Sequence, residues 1–179
     1  IIEPSDAVML KSVVRQMSET YGVQYMRIPR KQVPRIYEDG TEFKIGKGII
    51  VREGRDVTIM AYGMMVIEAI NAAELLAKDG ISARVVDMFT IKPVDRECII
   101  ESAKKTGAIV TAENHQIIGG LGSAVAEVLC ESLPVPVERI GVHDEFGEVG
   151  QVDYLKERFG LTAQCIAAKA KAAIMRKVV

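Results

Sequence analysis

The residues best suited to chemistry fall in one run, Glu113-Asn114-His115, followed closely by Gly119, Gly120 and Gly122. Glu113 and His115 stand two apart at the end of an apolar segment, where an acid/base pair could form. His115 and His143 are the only histidines. No serine or cysteine stands in a nucleophile motif, and G-x-S-x-G is absent. Two histidines and a carboxylate would suffice for a metal, but their spacing matches no zinc signature. The glycines raise a separate question. An apolar run enters them and a helix leaves them near Ser123, which is how a phosphate cradle is laid out. The stretch GLGSAV (120–125) comes close to G-x-G-x-x-G. Against a dinucleotide loop, Val125 replaces the third glycine, the turn after Glu113 is long, and the loop follows the third strand of its domain. No Lys-Ser/Thr follows, so a Walker loop is excluded. Two readings stay open: an anion seated at the helix N-terminus, or close packing of backbone, expected across a subunit contact.

Arg27 and Arg30 flank Pro29 in YMRIPRK (25–31). Two guanidiniums at a strand end could clamp a phosphate. A basic strand edge that discourages aggregation uses the same residues.

The elements that must position these groups follow from periodicity. Residues 1–30 give a helix capped by Ser5 or Asp6, with Ala7, Leu10, Val14 and Met17 on one face, then a strand over 23–29. One helix and one strand cannot bury two faces, so they read as the tail of a larger domain. Its exposed strand is expected to pack on the following domain, pair with another copy, or lack order. Residues 31–48 are polar, with Pro34, Gly40, Gly46 and Gly48, and read as a linker holding a short hairpin. From 49 to 179 strands alternate with helices: strands over 56–63, 82–91, 108–113 and 137–142, and helices after Gly63, from Asp95 to Gly107, from the glycine loop, and over 163–177. This predicts an α/β fold, three layers around a mostly parallel sheet of about five strands. Ligands of such sheets bind beyond the strands' carboxyl ends. There the sequence places Tyr62 and Gly63; Asp87, Thr90 and Lys92; Glu113, Asn114 and His115; and His143, Asp144 and Glu145. Polar loops at a surface would give the same inventory.

The totals narrow the classes. A net charge of -1 over 179 residues argues against a nucleic-acid partner, and 5% aromatics leave little for base stacking. No apolar run is long enough for a membrane helix. Cys98, Cys130 and Cys165 are odd in number and scattered, which points to free thiols in a reducing cytoplasm.

The order of segments resembles the transketolase family of thiamine-diphosphate enzymes. PSDAVMLKSVVRQM and YGVQYMRIPR resemble the close of the pyrimidine-binding domain. The pattern Asp87, Lys92, Pro93, Asp95, the run ENHQIIGGLGSAV and the later IGVHDEFGEVGQ resemble the C-terminal domain. The separately encoded C-terminal subunit of split prokaryotic transketolases is most similar; deoxyxylulose-phosphate synthase and the β subunit of 2-oxo acid dehydrogenases are less so. The resemblance implies two-carbon ketol transfer between sugar phosphates. It implies that thiamine diphosphate and Mg are held elsewhere, on an N-terminal partner subunit and the missing part of the pyrimidine domain. No catalytic residue is then expected in this chain. Arg30, and with it Arg27, match the position that grips the substrate phosphate. The C-terminal domain is expected to make a homodimer, and so a heterotetramer in the complete enzyme. A stand-alone nucleotide-binding module and a pure oligomerisation domain remain the readings from other classes.

Overall fold

The structure, a computed structural model, describes residues 1–177. A helix, α1 (Ala7–Glu19), is followed by 29 residues without regular elements and then by strand β1 (Ile49–Arg52). The remainder is β2 (Val57–Ala61), α2 (Met65–Lys78), β3 (Ala83–Asp87), α3 (Arg96–Thr106), β4 (Ile109–Gln116), α4 (Leu121–Glu131), β5 (Val137–Val142), α5 (Val152–Arg158) and α6 (Ala163–Met175). The five strands form one sheet in the order β1-β3-β2-β4-β5. β2, β3, β4 and β5 are parallel, and β1 closes the edge antiparallel to β3.

Strand alternation divides the core in two. Val57, Ile59, Ala61, Val85 and Val110 face one way and meet Val66, Ala69 and Leu76 of α2 and Ile166 and Ala170 of α6. Met60, Val86 and Ile109 face the other way and meet Ile99 of α3 and Leu121, Val125 and Val128 of α4. Strands covered on both faces are buried at nearly every position, as parallel strands must be. The small residues of α6 (Ala163, Ala167, Ala170, Ala173) bring it close to α2.

A third cluster joins the N-terminal helix to the sheet. Met9 and Val13 of α1, Ile2, Tyr37, Phe43 and Phe89 are buried together. Tyr37 meets Phe43 edge-on at 5.0 Å between ring centres, and Phe43 meets Phe89 in the same way at 6.4 Å. Asp6 organises this cluster. Its Oδ1 accepts from the Met9 amide and caps α1; its Oδ2 accepts from the amides of Ile36 and Tyr37, both at 2.9 Å.

Several local expectations are corrected here. The inward face of α1 is Met9 and Val13, while Ala7 and Val14 are exposed and Leu10 and Met17 half-buried. The sequence offers two overlapping apolar stripes, and the aromatic cluster beneath selects between them. Residues 23–29 form no strand. Met26 makes a single parallel bridge to Ile2, which bridges in turn to Thr90, and Val23 is fully exposed. The segment has strand composition but no neighbour long enough for a ladder; it packs on the following domain, one of the three expected fates. Residues 31–48 hold no hairpin and instead bury Tyr37 and Phe43. β1 and α5 are additions, and α6 ends at Met175 rather than 177.

Candidate functional site

The glycine loop proves to be a cradle with an occupant from its own chain. Gly120 precedes α4 and offers no side-chain cap. The Glu113 carboxylate supplies the missing acceptor: Oε2 accepts from the Leu121 amide at 2.9 Å, and Oε1 from the Gly122 amide at 3.0 Å. The hydroxyl of Tyr62, at the end of β2, donates to Oε2 at 3.1 Å. An anion against the first amides of a helix is favoured by both hydrogen bonding and the helix dipole. Gly120 makes room for it, and Gly122 for its own neighbours. A Cβ at Gly120 would fall inside the Glu113 carboxylate, and one at Gly122 would meet Arg139 Cδ at 2.7 Å and Thr111 Oγ1 at 2.9 Å. Gly119 has open space but a φ of +75°, the left-handed turn that glycine permits. The close packing of Gly120 and Gly122 is therefore within the chain. The place at the helix N-terminus that a bound anion would take is held by the chain's own Glu113.

Around this seat lies a wider polar network. Arg27 pairs with Glu3, and its Nη2 donates to Asn114 Oδ1 at 2.7 Å while Nη1 donates to the Asn114 carbonyl at 3.3 Å. The Arg27 guanidinium also lies 5.7 Å from the centre of the Tyr62 ring. Gly63, with φ +55°, admits Glu3: a Cβ there would overlap its carboxylate. Burial pushes Glu3 up to about 7; Arg27 opposes the shift and the nearby Glu113 charge adds to it. Burial and the Glu113 charge likewise hold the Tyr62 phenol above its ordinary range, so it stays a donor.

The other expected residues do not join this network. Asp87 is fully buried and accepts from the Tyr37 hydroxyl at 2.7 Å; burial raises it to about 7. Lys92 is exposed, in a cis bond to Pro93. Glu113 and His115 form no acid/base pair. The Glu113 oxygens are taken up by the helix and Tyr62, whereas His115 is exposed with Nδ1 3.4 Å from the Gln116 carbonyl. His143 is exposed, and Asp144 exchanges hydrogen bonds with the Gln116 side chain at 3.2 and 2.9 Å. Arg30 is exposed and makes no ion pair among the described residues. No group of three His, Cys, Asp or Glu among the described residues could hold a metal ion. Glu3 is not legible from sequence: its side-chain partner Arg27 is 24 residues away, and nothing in IIEPSD marks it.

Residues 46–166 match the sequence family described as transketolase, C-terminal domain. The chain belongs to that family. Over 177 residues it is 51% identical to the 6-deoxy-6-sulfo-D-fructose transketolase subunit of a Clostridium species, covering 99% of this chain and 55% of the relative. It is 45% identical to the putative transketolase C-terminal section of Methanocaldococcus jannaschii, over 94% of this chain and 54% of the relative. A solved split-gene transketolase, described as an inactive β4 tetramer, superposes with a TM-score of 0.94 at 46% identity, covering 99% of this chain and 57% of that one. This transketolase C-terminal domain, with its N-terminal extension, thus spans about half the length of the proteins it matches. The α/β sheet expected from sequence is the fold of that neighbour.

Proposed function

We propose that the chain is the C-terminal half of one subunit of a split transketolase. The complete enzyme transfers a two-carbon ketol unit between sugar phosphates, using thiamine diphosphate and Mg. The observation that carries this reading is similarity to split transketolase proteins over nearly the whole chain, including residues 1–45 ahead of the family match. Residues 1–30 are the close of the pyrimidine-binding domain, 31–48 the connection, and 49–179 the C-terminal domain. Arg30 is the residue that meets the substrate phosphate. The described residues do not fit the cofactor. The helix N-terminus that could seat a diphosphate is filled by Glu113, and no group of three His, Cys, Asp or Glu among the described residues could hold a metal ion. We assign both to the N-terminal partner subunit and to the part of this subunit preceding residue 1. A homodimer of the C-terminal subunit, and a heterotetramer with the partner, is supported by the tetrameric neighbour. No described helix is long and apolar enough to cross a membrane, and three free cysteines suit a reducing cytoplasm.

The test is reconstitution. The complete subunit mixed with its N-terminal partner is expected to show thiamine-diphosphate-dependent ketol transfer, followed by a coupled assay. The 179-residue chain alone is expected to show no saturable binding of the cofactor by calorimetry. Tight binding by this chain would overturn the division of labour, and an inactive assembly would overturn the activity.

A further inference from the structure

The run Arg27-Ile28-Pro29-Arg30 presents two guanidiniums in opposite circumstances. Arg30 is exposed. The Arg27 side chain is 27% exposed and is fully engaged with the protein: Glu3, both oxygens of Asn114, and the face of Tyr62. A substrate anion at Arg27 would have to displace a carboxylate already in place. Planar, forked donors make this a fixed geometry rather than a point charge.

Both anchors of Arg27 are themselves fastened. Glu3 lies in a segment tied to the sheet: its amide donates to the Phe89 carbonyl at 2.8 Å, and the Arg27 amide donates to the Ile2 carbonyl at 3.0 Å. Asn114 follows Glu113, whose carboxylate is locked into α4. From this anchor the chain runs stiffly outward. Pro29 fixes its own φ near -65° and confines Ile28 to extended backbone. Three residues of at most about 3.6 Å each keep Arg30 within about 11 Å of Arg27 along the chain. On the far side, Lys31 meets Gln151 through one long, exposed contact of 3.4 Å.

We infer that Arg27 is a positioning residue and not a substrate ligand: bound to Glu3, Asn114 and Tyr62, it sets the direction in which Arg30 meets the anionic end of the substrate. Asn114 belongs to the same device, as the group on the C-terminal domain that completes the Arg27 seat. The inference rests on the ketol-transfer reading given above, and its test separates the two.

In the complete subunit assembled with its partner, KM for a phosphorylated aldose acceptor and kcat are measured for wild type, Arg27→Met, Asn114→Ala, Arg30→Ala and the Arg27→Met/Arg30→Ala double variant. Misplacement of a binding group typically costs about ten- to a hundred-fold, so Arg27→Met should raise KM about tenfold with kcat nearly unchanged. Asn114→Ala should shift KM in the same direction without altering the charge of the site. In the Arg30→Ala background, Arg27→Met should add nothing. Multiplying effects in the double variant would show that Arg27 holds substrate directly and would overturn the inference, as would an unchanged KM for Arg27→Met. Should Arg27→Met fail to fold, Arg27→Lys replaces it; the ammonium keeps the charge but not the fork, so it should show the same KM rise. A wild-type assembly without ketol transfer rejects the activity. The anchor is then read by hydrogen exchange: Arg27→Met should accelerate the amides of residues 2 and 27, which bond to the Tyr25 and Ile2 carbonyls, while β2–β4 stay protected, and no acceleration overturns it.

Discussion

Glu113 does for this domain what a bound phosphate does for others built on the same loop plan. Its carboxylate accepts from the first amides of α4 and from the Tyr62 hydroxyl, and Gly120 leaves the room for it. Gly120→Ala should therefore destabilise more than the usual loss of backbone freedom at a glycine would suggest. The new methyl must evict the carboxylate, leaving two helix amides and a phenol without their acceptor, a loss of about 2–4 kcal/mol. Glu113→Gln keeps one acceptor oxygen but loses the charge, and about 1–2 kcal/mol is expected. Urea denaturation midpoints check both; a Gly120→Ala protein as stable as wild type would contradict the occupied cradle. The sequence shows the glycines, the carboxylate and the helix start, but the carboxylate stands seven residues before Gly120. Only the bend after β4 turns it back onto the loop, and no periodicity reports a bend.

Among the elements, α1 and the stretch of residues 31–48 behave as one body because Asp6 belongs to both. One oxygen caps the helix and the other holds the amides of Ile36 and Tyr37. Asp6→Ala should cost about 3 kcal/mol, a lost cap together with the buried Tyr37 amide and the half-buried Ile36 amide left unpaired. The loss should be local: in hydrogen exchange α1 and residues 35–45 should open together while β2–β4 stay protected. If α1 alone frays, the linker is held by other contacts. The cap itself could be read from sequence, as Ser5 or Asp6. Its second role could not, since the partner amides are 30 and 31 residues away. The same limit applies to β1, a four-residue edge strand that the composition of its surroundings conceals.

At the scale of the whole molecule, two buried carboxylates join the N-terminal segment to the sheet, Glu3 beside Arg27 and Asp87 beneath Tyr37. Burial raises both to about 7, above ordinary values of 4.5 and 3.8. Between about pH 4 and pH 7 the folded protein keeps protons that the unfolded chain has released. Their contribution to stability is full below that window and is lost as pH rises through it. Asp87→Asn, which can still accept from Tyr37, should flatten the decline and leave the variant more stable than wild type near pH 8. Denaturation midpoints across the window measure this, with the residual slope attributed to Glu3. An Asp87→Asn slope equal to that of wild type would remove Asp87 as its source.

Read alone, the sequence determined the alternation of buried strands and helices, the parallel sheet that follows from it, and a helix cap at Ser5 or Asp6. Each of these depends on residues within one or two turns of each other, where side-chain spacing is fixed by the backbone. The tertiary structure decided the rest: which stripe of α1 faces inward, that residues 23–29 have no ladder to join, that Glu113 fills the glycine loop, and that Arg27 is held while Arg30 is free to solvent. These outcomes depend on which distant groups arrive at the same place, and that is set by the packing of the sheet and not by any local pattern.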